Sequence, residues 1–193
     1  MKLDLVRSDP HYYGAPAQPV LRTFGTYGYA TVTGRGAPLG EAYTEAVGRL
    51  YRAVYGAKKR SKAAGLDFVA PKLEGLWWVE STEPPLTVPR ELWHWKMMIR
   101  LPEFVTAETV EGAAYEELCE GEAVQVMHRG PYAAEPETLA RMEEFLRAEG
   151  LAMNGRHHEI YLSDPRRANP ETMRTVLRHP VRRLAGQPQV RPR

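Results

Sequence analysis

One cysteine in 193 residues, Cys119, excludes an intramolecular disulfide and a cysteine-rich zinc module, and nothing in the thiol count argues for export. Long apolar runs are missing as well. No stretch approaches the roughly 20 consecutive apolar residues of a membrane-spanning helix, and the opening MKLDLVRSDPHYYG has no apolar core of the signal-peptide kind. A surplus of one charge is also absent: 26 Lys and Arg face 24 Asp and Glu, a formal net charge of +2. No global field draws such a chain to nucleic acid. Together these absences predict a cytoplasmic protein with no membrane contact and no direct nucleic-acid binding. With 43% hydrophobic residues, the chain can bury a core of its own as a single domain, residues 1–193.

Residues 1–18, rich in Pro, Gly and Tyr without a period, read as an irregular leader packed on the surface. From Val20, the run VLRTFGTYGYATVTGRG alternates as a strand or bent hairpin ending in Gly34-Arg35-Gly36. Leu39, Tyr43, Val47, Leu50, Val54 and Tyr55 then recur at spacings of three and four and can share one face, predicting a helix from about Leu39 to Lys62. Lys58, Lys59, Arg60 and Lys62 complement the end of its dipole. GLWWVES and ELWHWKMMIRLPEF form a predicted antiparallel strand pair. A second helix is expected over Ala107 to Leu118, with Cys119 buried or half-buried at its end.

The same grammar then returns: strand AVQVMHRG, a Gly-Pro turn, a helix from Glu135 to Glu149, and strand HHEIYLSD. Val32-Thr33-Gly34-Arg35-Gly36 aligns with Val126-Met127-His128-Arg129-Gly130, each a strand end passing through Arg-Gly toward a helix. The expectation is an α+β, pseudo-duplicated fold, with halves at about 19–105 and 106–184 and a ligand cleft between them. The cluster Arg178, Arg182, Arg183, Arg191 and Arg193, diluted by prolines, reads as a solvated C-terminal end, with 185–193 as a tail.

Chemistry concentrates in three places. In the strand after Asn154-Gly155, Glu159 and Tyr161 point to one side and Ile160 and Leu162 to the other. Glutamate is depleted in strands, but spacing alone leaves Glu159 open between an ordinary solvent-facing role and a functional one. Adjacent His157 and His158 point to opposite faces and cannot ligate one ion, so no metal and no cofactor are expected. The second place is His128-Arg129-Gly130-Pro131-Tyr132, which sets a phenol at a helix start. Tyr132 can meet a ligand or simply pack there. The third is Trp77, Trp78, Trp93 and Trp95 on one strand pair, with Trp93, Trp95 and Met97 on one face and Met98 on the other. Some belong to the core, yet an aromatic wall beside a carboxylate suits a flat, apolar or cationic guest.

EGLWWVE, WHWKMMIRLPEFV, VMHRGPYAAEPETLARMEEFLRAEGL and NGRHHEIYLSDPRRANPETMRTVLRHPV, spanning about residues 66–183, resemble the GyrI-like domains, the effector-binding halves of AraC- and MerR-type multidrug regulators. The resemblance implies two βαββ halves with antiparallel sheets around a central cleft, Glu159 at its centre. Trp77, Trp95, Met98, Tyr161 and His128 are its expected ligand-binding residues. It further implies a small hydrophobic, aromatic or cationic ligand. Stand-alone members of this kind imply hydrolysis of cyclopropane-containing genotoxins, with Glu159 and Tyr132 as the catalytic pair. A non-catalytic sequestering protein and an inhibitor of a topoisomerase-like target are the alternatives. No helix-turn-helix with a basic face occurs, and the internally duplicated cleft implies a monomer or weak dimer.

Overall fold

Alternating β-branched and aromatic residues from Val20 to Arg35 make one unbroken strand of 16 residues rather than a hairpin. In the computed structural model, which describes residues 2–165 and 167–185, the elements run in chain order as follows. They are β1 (Lys2–Leu3), α1 (Leu5–Ser8), α2 (Pro10–Tyr13), β2 (Val20–Arg35), α3 (Glu41–Ala63), β3 (Asp67–Phe68), β4 (Glu74–Trp78) and β5 (His94–Arg100). There follow β6 (Ala114–Arg129), α4 (Glu135–Ala148), β7 (Leu151–Met153), β8 (His157–Tyr161) and β9 (Arg174–Arg183). The second half thus repeats the first, β6-α4-β8-β9 after β2-α3-β4-β5. Gly36 and Gly130, which close the two aligned Arg-Gly turns, share an unusual backbone angle, φ 127° and 123°, a region open mainly to glycine.

The halves do not present two separate sheets. Antiparallel pairing runs β6-β2-β5-β4-β8-β9, and β9 pairs back onto β6. Six strands therefore close into a barrel, which leaves no open edge within the ring. Strand alternation sends Phe24, Tyr29, Leu76, Met98, Met127, Ile160 and Val176 inward. Outside, Leu50, Val54 and Ala57 of α3 pack on Val32, Met97 and Ile99, and Met142 and Leu146 of α4 pack on Val124, Val126 and Leu177.

Four expectations need correction. Residues 107–118 are not a helix: a short 3-10 turn, Ala107–Thr109, precedes β6. Pairing decides this, because Ala114 to Leu118 lie in register with Thr31 to Tyr27 of β2. Cys119 consequently lies exposed on a strand. The leader is not a surface ribbon either. β1 pairs with β3, and α2 drives Tyr12, with 0% exposure, into the barrel. Arg178 is no solvated tail residue: it too is 0% exposed, on β9. Residues 186–193, with Arg191 and Arg193, lie outside the described residues.

The barrel interior holds a neutralised charge network. His158 donates from Nδ1 to Glu120 and from Nε2 to Glu74, each at 2.9 Å. Arg178 donates to Glu120 at 2.9 Å, to Gln125 at 3.1 Å and to the Tyr12 carbonyl at 2.6 Å. The Tyr12 hydroxyl donates to Glu74 at 2.5 Å. Burial alone would lower the His158 pKa, but Glu120 and Glu74 overcome it and push it up to about 9. Burial would likewise raise Glu120, yet His158 and Arg178 bring it down to about 2. Basic residues near the end of α3 are also engaged within the protein: Lys58 bonds Asp67, and Arg60 donates to the Thr109 carbonyl. Among the described residues no helix is long and apolar enough to cross a membrane.

Candidate functional site

β4 and β8 lie side by side where the two halves meet, in the register Gly75↔Glu159 and Trp77↔His157. Their outer faces floor a cavity of about 1510 Å³ between α3 and α4, larger than the roughly 300–1,000 Å³ of a typical small-molecule site. Tyr43 and Tyr51 of α3 wall one side, Glu135 and Leu139 of α4 the other.

Period-two alternation aims His157, Glu159 and Tyr161 at this cavity and His158 and Ile160 into the barrel. Trp77 Nε1 donates to the Tyr161 hydroxyl at 2.9 Å, which donates to Glu159 Oε2 at 2.8 Å. His157 Nε2 donates to Glu159 Oε1 at 3.2 Å. Gly75 makes this relay possible. A Cβ there would lie 2.9 Å from Trp77 Nε1 and 3.0 Å from the Tyr161 oxygen. Burial first, then the charge of Glu159, holds the Tyr161 phenol well above its ordinary range, so it remains a donor.

Trp77 stacks on Tyr43, centroids 6.0 Å apart at 18°, and meets Trp93 edge-on at 6.1 Å. Tyr132 meets Tyr161 edge-on, also at 6.1 Å. Burial, then Glu159, Glu135 and Asp164, pushes the Tyr132 phenol up to about 12. His179, behind His157 at 5.8 Å, is brought down to about 4, by burial and then by His157.

Of the residues expected from sequence, Glu159, Tyr132, Trp77 and Tyr161 therefore converge on the cavity. Trp95, Met98 and His128 do not line it. Trp95 is 1% exposed beneath Tyr43, its ring filling the space above Gly34. Met98 pairs with Glu74 and faces the barrel interior, the opposite side of the sheet. His128 lies under α4, its Nδ1 2.9 Å from the Thr138 hydroxyl and its Nε2 3.1 Å from the Pro131 carbonyl. It fixes the turn that delivers Tyr132 and Glu135 without facing the cavity.

Glu135 is the residue that the sequence did not disclose. An acid in the first turn of a helix is an ordinary preference, and only the cleft between the helices brings it to Glu159. Its Oε1 is buried without a hydrogen-bond partner. Burial, then Glu159, pushes its pKa up to about 9. Among the described residues no group of three or more His, Cys, Asp or Glu side chains is placed to hold a metal ion.

A closed barrel flanked by two helices, with an aromatic cavity built around carboxylates on its seam, defines a small-molecule-binding protein. The family model for the GyrI-like small-molecule-binding domain matches residues 17–182. The chain belongs to that family. It is similar to an uncharacterised conserved protein of Listeria innocua, at 36% identity and TM-score 0.87, covering 94% of this chain and 100% of that one. A second Listeria innocua structure, described as a hydrolase, matches at the same identity and coverage with TM-score 0.82. The EcmrR C-terminal domain shares the fold at 12% identity and TM-score 0.62, over 86% of this chain and 98% of that one. No curated protein matches the chain significantly.

Proposed function

We propose that this protein hydrolyses hydrophobic compounds carrying a strained, electrophilic ring, cyclopropane-bearing genotoxins above all, with Glu159 as general base. The observation that carries this reading is Glu159 itself, oriented by Tyr161 and His157 on the floor of an aromatic cavity. That a relative 36% identical is described as a hydrolase supports it.

Glu159 takes a proton from a water aimed at the ring carbon. The water oxygen bonds to that carbon, the strained C–C bond breaks, and its electron pair moves through the conjugated system onto a carbonyl oxygen. Tyr132 hydrogen-bonds that oxygen as charge develops. Its raised pKa keeps it a hydrogen-bond donor rather than an acid. Relief of ring strain and aromatisation of the product drive the step, and the stacked rings of Tyr43, Trp77 and Trp93 hold the flat body of the substrate.

Purified protein mixed with a cyclopropane-bearing DNA alkylator, followed by mass, tests this directly. The expected result is the water adduct, with Glu159→Gln slower by about 10²–10⁴ yet still showing tryptophan quenching by the ligand. A variant that turns over at the normal rate removes Glu159 from the role of base. Saturable quenching with no product favours a second reading, sequestration of cationic aromatic compounds. The rings beside Glu159 and Glu135 suit it, and it requires Glu159→Gln to weaken cation binding while sparing neutral ligands.

A further inference from the structure

A hydrolytic step that sends an electron pair to a substrate oxygen is accelerated by an acid as well as a base. Glu159 and Tyr132 supply the base and a hydrogen bond. Neither supplies a transferable proton.

Glu135 has the placement for that task. It is the first residue of α4, 9% exposed, it lines the cavity, and its Oε1 has no partner. Among the described residues, the other buried carboxylates have cationic partners: Glu120 meets His158 and Arg178, and Glu74, though its Oε1 is likewise unbonded, meets His158 and Tyr12 through Oε2. The surroundings of Glu135 are different. Glu159 of β8, a second carboxylate, and Tyr132 of the turn before α4 line the same cavity as Glu135, and the charge of Glu159 acts on it. His128 of β6 and Arg141 of α4 are both directed at Thr138, one turn further along. The charged group that bears on Glu135 among the described residues is thus of its own sign. Two like charges in one apolar site cannot both be held cheaply, and the first-turn dipole of α4, worth about 0.3–1 kcal/mol, is too small to reverse this.

We propose that Glu135 keeps its proton at neutral pH and is the acid of the site, handing that proton to the electron-accepting oxygen of the substrate while Glu159 deprotonates water. This rests on the hydrolase reading and specifies its substrates: the strained ring must be conjugated to a carbonyl or equivalent acceptor oxygen. One C–O bond forms, one ring C–C bond breaks, and the oxygen gains the Glu135 proton. The proton taken up by Glu159 then passes to its neighbour Glu135. One water is added and both carboxyl groups return to their starting states.

Two measurements test the assignment. In the ligand-free protein, infrared difference spectra across pH should show a protonated-carboxyl C=O band at pH 7 that disappears near the Glu135 pKa of about 9 and is missing from Glu135→Gln. In turnover of a cyclopropane conjugated to a ketone, kcat/KM of the unsubstituted protein should fall as pH rises through that value. Glu135→Gln should be slower by about 10²–10⁴ and lose that alkaline limb, with Glu135→Asp regaining part of both. No band assignable to Glu135 at pH 7, or Glu135→Gln with an unchanged rate and limb, overturns the acid role and leaves Glu159 as base untouched. No turnover by the unsubstituted protein overturns the hydrolase reading and the acid role together, while the band still reports whether Glu135 is protonated.

Discussion

The two faces of β4 and β8 carry opposite solutions to one problem. Inward, Glu74 and Glu120 are buried among donors that neutralise them, with His158 bridging both and Arg178 completing the set. Outward, one residue away along each strand, Gly75 and Glu159 floor a cavity in which the second carboxylate, Glu135, is buried beside a like charge. A buried carboxylate with its cations is an element of architecture. One without them is held in reserve for a proton or a guest, and folding must offset the cost elsewhere. Burial and charge look alike on both sides of the sheet; compensation separates scaffold from site.

The largest break in this contrast should come from the inner face. Arg178→Leu leaves Glu120 and Glu74 to share the single cation His158 in the barrel, and removing one partner of a buried pair typically costs about 3–5 kcal/mol. Urea unfolding should show that loss, whereas a cost below about 1 kcal/mol would mean the interior charges are not mutually dependent.

pH sharpens the same contrast. His158 has a folded pKa of about 9 against an ordinary 6.5, so its contribution is complete below pH 6.5 and is lost as pH rises through 9. Glu120, at about 2 against 4.5, contributes fully above pH 4.5 and loses that contribution as pH falls through 2. These two groups therefore make stability decline below about pH 4.5 and above about pH 6.5, and Glu135, at about 9 against 4.5, adds to the alkaline loss. His158→Asn should remove part of the alkaline arm and His158→Asn combined with Glu135→Gln most of it; an arm that neither variant changes assigns it to another group.

The smallest change sits on the outer face. Gly75→Ala places a methyl against Trp77 Nε1, the Tyr161 oxygen and Met97 Cε, all within 3.2 Å. Overpacking of this kind costs about 1–3 kcal/mol, and displacing the Tyr161 hydroxyl should weaken ligand quenching of the tryptophans. Normal quenching would show that the relay to Glu159 tolerates the shift.

Local pattern reached the repeated strand-helix-strand grammar, the extents of α3 and α4, and the shared face of Glu159 and Tyr161, since all follow from periods of 3.6 or 2. It failed where distant segments decide. Residues 107–118 are rich in helix-favouring Ala and Glu, but the N-terminal part of β6 from Ala114 is held by β2, and tertiary pairing overrides propensity. Arg178 looked like a solvated cation because its partner Glu120 is 58 positions away. Trp95 and Met98 both looked like wall residues, yet an odd separation along a strand puts them on opposite faces, and α3 covers the one that points outward. Glu135 is an ordinary first-turn acid until the second half of the chain brings Glu159 beside it.

Closure of the ring by β9 has a consequence for how the chain comes to exist. β9 joins β6, β7 and β8 at once, and its Arg178 reaches back 166 positions to the carbonyl of Tyr12. During synthesis the first βαββ half can form early, but its inner face has no covering, and Glu74 lacks its histidine, until β8 and β9 emerge. Long-range closure of this kind makes folding slow. Of the charges that lock the finished barrel, Glu74 is made first and waits longest for its partner.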